Sequence, residues 1–208
     1  MEYSKEFKTA LSQLSSVEKD RLIFRLLKKD EILSKKLYFE LIDEETTDHK
    51  RDQMEEIVKE KVDFAAKYIS NQKYFVVLIR KISAEITEHV KVTTDKFGDV
   101  YLNLVLINKI LESNNKLSYL RFDNVYKLYL YIINKIVKAL SLTKKLDEDY
   151  HLELTEILED IEFQVTENTY LAKLFMNNGI DFNWLTIEKI PDHFDLIIKD
   201  IKNQGFLK

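Results

Sequence analysis

The 208-residue chain has no cysteine, one proline and three glycines. Without cysteine there are no disulfide staples, no thiolate metal sites and no cysteine nucleophile, and a reducing compartment suits the chain. Three glycines cannot supply the turns that sheet-rich folds spend, nor the loops that cradle phosphate in Walker-type and dinucleotide-binding motifs. Neither a G-x-S-x-G elbow nor an H-E-x-x-H pair is present. No apolar run approaches the roughly eighteen residues of a membrane-spanning helix. The opening "MEYSKEFKTALSQL" scatters charges among its apolar residues and lacks the apolar stretch of a signal peptide. These absences predict an all-α protein of long helices and short polar joints, placed in the cytoplasm, with no membrane partner.

What is present supports a sizeable core. Apolar residues make up 45% of the chain and aromatic residues 12%, enough for one helical domain over residues 1–208. Apolar residues recur at helical spacing in ten segments, near 3–14, 15–29, 31–43, 48–70, 73–93, 99–113, 118–143, 148–166, 167–179 and 191–205. In "SSVE", Ser15 and Glu18 form a capping box. Asp30 and Thr46 or Thr47 cap later helices, Gly179 and Gly205 close two more, and Pro191 with Asp192 opens the last. "TTDKFGD" reads as a loop and "ESNNK" as a polar break.

Architecture is read first as an irregular bundle and second as a degenerate α-solenoid. Segments around Leu27, Leu111, Leu140 and Leu174 echo one another but lie 84, 29 and 34 residues apart. A stacked array holds a nearly constant period, so the bundle is preferred. Along 118–143, and continued to Lys145 just beyond it, the polar residues Asn124, Lys127, Tyr131, Asn134, Lys138, Ser141 and Lys145 form one narrow stripe. The rest of the circumference is apolar, which predicts a central helix, with Tyr126, Tyr129 and Trp184 in the core.

Charge is unevenly distributed. Residues 1–100 carry 19 basic and 20 acidic side chains, 101–146 carry 8 and 2, and 147–208 carry 5 and 14. The net charges are therefore −1, +6 and −9. The acidic helix and the basic region are expected to lie side by side and partly neutralise each other. Asp149, Glu153, Glu156 and Asp160 share one helical stripe and are the candidate Mg²⁺ ligands, because Mg²⁺ takes hard oxygen donors. Lys127, Lys138 and Lys145 are the candidate phosphate contacts for nucleic acid. Most aromatics beside them share the apolar face and are not free to stack on bases. The four histidines, His49, His89, His151 and His193, form no two-histidine ligand motif.

The run "QLSSVEKDRLIFRLLKKDEILSKKLYFELID", with "NWL…IPD" and the closing "NQGFLK", resembles an uncharacterised family of all-α bacterial proteins of about this length. Its members sometimes carry a deoxyuridine triphosphatase label. The resemblance implies an all-α fold and a cytoplasmic setting. All-α enzymes of that label pair an E-x-x-E motif with a later E-x-x-D. "ELTE" (Glu153, Glu156) has the first form with no second after it, while "ELID" (Glu40, Asp43) with "EKVD" (Glu60, Asp63) has Asp where Glu is needed. The preferred function is therefore a non-enzymatic module that presents a surface to another macromolecule, a protein, with no cofactor. The alternatives are a Mg²⁺-dependent nucleoside triphosphate pyrophosphatase and nucleic-acid binding through residues 101–146.

Overall fold

The structure, a computed structural model, describes residues 2–114 and 122–208. Ten α-helices make up the described residues, with no strand among them. They are α1 (Lys5–Gln13), α2 (Ser16–Leu27), α3 (Glu31–Leu41), α4 (Thr47–Ala66), α5 (Gln72–Thr93), α6 (Lys96–Asn114), α7 (Phe122–Thr143), α8 (His151–Glu167), α9 (Thr169–Asn177) and α10 (Phe194–Asn203). Short 3-10 turns at Glu148–Tyr150, Phe182–Leu185 and Ile187–Lys189 join the last elements. The all-α fold and the number of helices agree with the expectation from composition and periodicity.

Local chemistry starts the helices where the sequence indicates. Ser15 accepts from the Glu18 amide while the Glu18 carboxylate accepts from the Ser15 amide at 2.9 Å, so the capping box is complete. Asp30, Thr46 and Asn71 cap α3, α4 and α5 through their side chains. Gly179 and Gly205 lie at φ 72° and 97°, beyond the ends of α9 and α10, where a side chain would strain the backbone.

"TTDKFGD" departs from its reading as a loop. Only Thr94 and Asp95 are non-helical, and Asp95 caps α6 by accepting from the Gly98 amide at 2.8 Å. A glycine inside a charged stretch signals a turn. Here it is the one residue that fits beneath the Asp95 carboxylate, since a Cβ would sit 2.3 Å from Asp95 Oδ2. "ESNNK" stays helical as far as Asn114. Its remainder, the expected helix start near 118 and the Asn124 side chain lie outside the described residues.

The main contacts stack the helices in two layers. α4, α6 and α8 follow one another in the first, and α3, α5, α7 and α9 in the second, with α4 on α5, α5 on α6, α6 on α7 and α8 on α9 packed across the layers. That is the contact logic of a helical array with unequal units, contained within an irregular bundle. α10 breaks the pattern by folding back onto α7.

α7 is central as expected, touching α5, α6, α9 and α10 and burying Val125, Leu128, Ile132, Ile133, Ile136, Val137 and Leu140, and α6 shares the centre with it. α6 touches α4, α5, α7 and α8, and buries Val100, Leu102, Leu104, Val105, Leu106, Ile107, Ile110 and Leu111. α7 keeps its polar stripe: Lys127, Lys138 and Lys145 are exposed and Tyr131 and Asn134 half-buried. Tyr129 is a core residue as expected, and Trp184 packs against the core, edge-on to Phe194. Tyr126 is exposed instead.

The two ends of the stack differ. At the C-terminal end, Leu185, Ile187, Ile190, Phe194, Ile198 and Leu207 are buried and close the layers. At the N-terminal end, α3 packs on α5 and α2 packs mainly on α3. No described residue of α1, α2 or α3 is buried.

Candidate functional site

The acidic stripe is split by the fold. Glu153, Glu156 and Asp160 line a shallow groove of about 270 Å³ between α4, α6 and α8, and Asp149 lies outside it in the 3-10 turn before α8. The groove also holds cations. Lys59 lies 2.7 Å from Glu55, and Lys109 lies 3.2 Å from Glu112 and 3.4 Å from Asp63. Asp160 accepts from Asn108, whose amide oxygen in turn accepts from Gln164. Tyr101 donates to Glu55 at 2.9 Å, and burial with that neighbouring charge pushes its phenol up to about 12. Among the described residues no three carboxylates or histidines converge to hold a metal ion.

The two broken pyrophosphatase motifs are not brought together. Asp43 pairs with Lys50 at 2.9 Å beside α3, whereas Asp63 faces Lys109 of α6. Glu40 pairs with Lys36 on its own helix at 3.7 Å.

Two of the three candidate phosphate contacts already meet carboxylates. Lys138 lies 3.6 Å from Asp99, and Lys145 lies 2.9 Å from Asp195. Lys127 is exposed on the same stripe. Asp195 also accepts from Ser141, and that hydrogen bond, ahead of the Lys145 contact, lowers its pKa. Lys144 adds a third pair with Asp192 at 3.2 Å. The expected juxtaposition is met in part: α8 lies beside α6, within the basic region, whereas the basic end of α7 is neutralised by the start of α10 and its preceding turn. The reason is topological: α10 folds onto α7, while α8 packs on α6.

Three arrangements had no signal in the sequence. The first is Arg51, whose guanidinium lies 2.7 Å from Asp95, 2.9 Å from Asp48 and 4.7 Å from the Phe97 ring centroid. Burial opposes its charge, but the two carboxylates outweigh burial and raise its pKa. Phe97 itself stacks between Tyr101 and Tyr150. The second is Lys135, which donates to Ser83 of α5 and, at 2.8 Å, to Asn103 of α6. Burial, reinforced by Lys138, lowers its amine to about 8. The third is His89, on a cavity of about 430 Å³ between α3 and α5 that Tyr38, Phe39 and Val92 also line. Burial lowers its pKa, and its Nε2 has no partner among the described residues. The other histidines are dispersed: His49 faces Glu45 at 3.2 Å, His151 opens α8 and His193 precedes α10.

A further feature is the surface of α1 to α3. Phe7, Val17, Ile23, Phe24, Leu26, Leu33, Tyr38, Leu41 and Ile42 are all exposed, Phe24 at 63% and Leu41 at 75%. Single exposed apolar residues are ordinary, whereas a continuous set on successive helices marks an interaction surface. The periodicity of α1 and α2 shows amphipathic helices. Which surface covers their apolar faces is not a property of their own periodicity, so the sequence could not show that the fold leaves them open. Comparison with protein-family models, with curated proteins and with solved structures finds no match to this chain.

Proposed function

We propose that the protein is a non-catalytic interaction module that docks on another protein chain through α1, α2 and α3. One observation carries this reading: three helices at the N-terminal end of the stack, the first two amphipathic, expose large apolar side chains and contribute no buried residue. Leaving such side chains in water forgoes about 1.5–3 kcal/mol for each one that a partner would fully bury. The charge layout supports the same reading, because oppositely charged regions orient a partner during encounter. The absence of cysteine suits a reducing cytoplasm, where we place the protein.

The Mg²⁺-dependent pyrophosphatase reading draws on the groove of Glu153, Glu156 and Asp160. Lys59 and Lys109 line the same groove and already neutralise neighbouring acids. Nucleic-acid binding draws on Lys127, Lys138 and Lys145, two of which are paired.

The test compares two baits in a lysate of the source cells: the unaltered chain, and a variant carrying Ile23→Ser, Phe24→Ser and Leu26→Ser. A stoichiometric protein retained by the first and lost by the second is the expected result. Equal retention by both, with matching far-UV circular dichroism, would overturn the reading.

A further inference from the structure

We propose that His89 is a pH-sensitive latch: as the neutral ring it lets α3 rest on α5, and a second proton releases α3, together with α1 and α2, from the rest of the fold. The proposal goes beyond the docking reading, because it concerns how these three helices are held and not what they bind.

The attachment is narrow. α2 packs mainly on α3, and α3 in turn on α5, so the N-terminal helices are joined to the remainder chiefly through that one contact. No residue of α3 is buried in it. It leaves the cavity of about 430 Å³ that His89 lines from the α5 side, opposite Tyr38 and Phe39 of α3. A contact with such a space in it lacks the close packing that would hold it against a further penalty.

The surroundings of the ring supply that penalty when it is protonated. Both nitrogens of an imidazolium are donors. Nε2 of His89 is buried and meets no partner among the described residues. A second proton therefore makes it a charged N–H with no acceptor, which costs more than a neutral one. Carboxylates stand nearby, but each is already paired. On α5 itself Glu88 meets Lys35 of α3 at 2.6 Å, and Glu85 meets Lys61 of α4. In the joint before α4, Asp43 meets Lys50 at 2.9 Å, and at the start of α6 Asp95 meets Arg51 at 2.7 Å. Lys35, Lys50 and Arg51 bring positive charge to the same surroundings. Burial is the main cause that lowers the pKa of the ring, with Arg51 and Lys50 adding to it and Asp95 opposing it.

Moving α3 away uncovers the face of α5 that carries His89. A ring returned to water regains the ordinary histidine value of about 6.5. The released state then binds more protons than the closed one below that pH. Release becomes easier as pH falls through 6.5, by up to about tenfold at pH 5.5, and gains nothing above pH 7.5.

Amide hydrogen exchange of the full-length chain tests this, read as protection factors at pH 7.5 and 5.5 so that the chemical pH dependence of exchange cancels. Protection across α3 is expected to drop by up to about tenfold at pH 5.5, while that of α6 and α7 is kept. His89→Gln, which cannot take up a proton, is expected to show the same α3 protection at both values. Constant α3 protection in the unaltered chain, an equal drop in His89→Gln, or a drop shared by α6 would each overturn the latch. The titration of the His89 ring in the unaltered chain, followed by NMR, decides without a variant. A midpoint below 6.5 supports the latch, and one at or above it would overturn it.

Discussion

Arg51 and Asp95, 44 positions apart in the chain, join α4 to the first turn of α6 through a contact of 2.7 Å between Nε and Oδ2. The same carboxylate caps α6 at Gly98. One side chain therefore terminates a helix and ties it to another, and Gly98 is the space that lets it do both.

Gly98→Ala is expected to destabilise the fold. The new Cβ meets a carboxylate that cannot swing away without releasing Arg51 or the cap, at a cost of about 1–3 kcal/mol for overpacking. Removing a helical glycine returns at most about 1 kcal/mol, so the net is a loss, read as a melting temperature lower by ~2–4 °C per kcal/mol. Asp95→Ala should cost more, about 3 kcal/mol, because it removes the cap and leaves Arg51 with Asp48 alone. Adding Gly98→Ala to Asp95→Ala should cost nothing further. Additive losses in that double-mutant cycle would show that the clash lies elsewhere.

Lys135 gives a pH dependence of definite sign. Its folded-state pKa, about 8, is below that of the unfolded chain, so between about pH 8 and 10.4 the unfolded state binds more protons. Stability therefore rises with pH across that window, and the penalty is fully present below it. The effect is on the order of 2 kcal/mol after allowing for the partial exposure of the side chain. Denaturant unfolding of the unaltered chain and of Lys135→Met should show the unaltered chain gaining on the variant from pH 8 to 10. A constant difference would mean that the amine stays charged in the fold.

The groove beneath α8 should not respond to Mg²⁺. Lys59 and Lys109 bring positive charge to the same groove, and the three carboxylates of α8 do not converge on a metal site. Millimolar Mg²⁺ or Mn²⁺ is expected to leave the melting temperature unchanged, and no pyrophosphate should be released from a panel of nucleoside triphosphates. A rise in melting temperature abolished by Glu153→Gln would restore the pyrophosphatase reading.

Freeing the α7 lysines should create the nucleic-acid affinity that the fold suppresses. Asp99→Asn with Asp195→Asn removes the partners of Lys138 and Lys145. Fluorescence anisotropy with a labelled oligonucleotide should show weak binding by the unaltered chain. The variant is expected to bind more tightly, with a salt slope steeper by about one or two ions. Tight, steeply salt-dependent binding by the unaltered chain would contradict the pairing of these lysines.

Much of the helical layout was legible because its signals are local. A cap acts over three residues, as Ser15 and Glu18 do, and an apolar period repeats within one helix. The start of α6 was misread for an equally physical reason. Asp95 caps in the ordinary way, but the Gly98 that usually marks a turn is here required by close packing against a side chain held from α4. α6 was passed over as a second central helix beside α7, because a run apolar nearly all round lacks the amphipathic contrast that drew notice to α7.

By itself the sequence determined that the chain is all helical, where most helices begin, and that its charge divides into three regions. It left open which carboxylate meets which lysine. That was decided when α10 folded onto α7 and α8 onto α6, giving Asp195 to Lys145 and setting Glu153, Glu156 and Asp160 beside Lys59 and Lys109. Only the tertiary structure showed that, among the described residues, α1 to α3 keep large apolar side chains exposed. Periodicity gives a helix an apolar face, whereas contacts between residues far apart in the chain decide whether that face is buried.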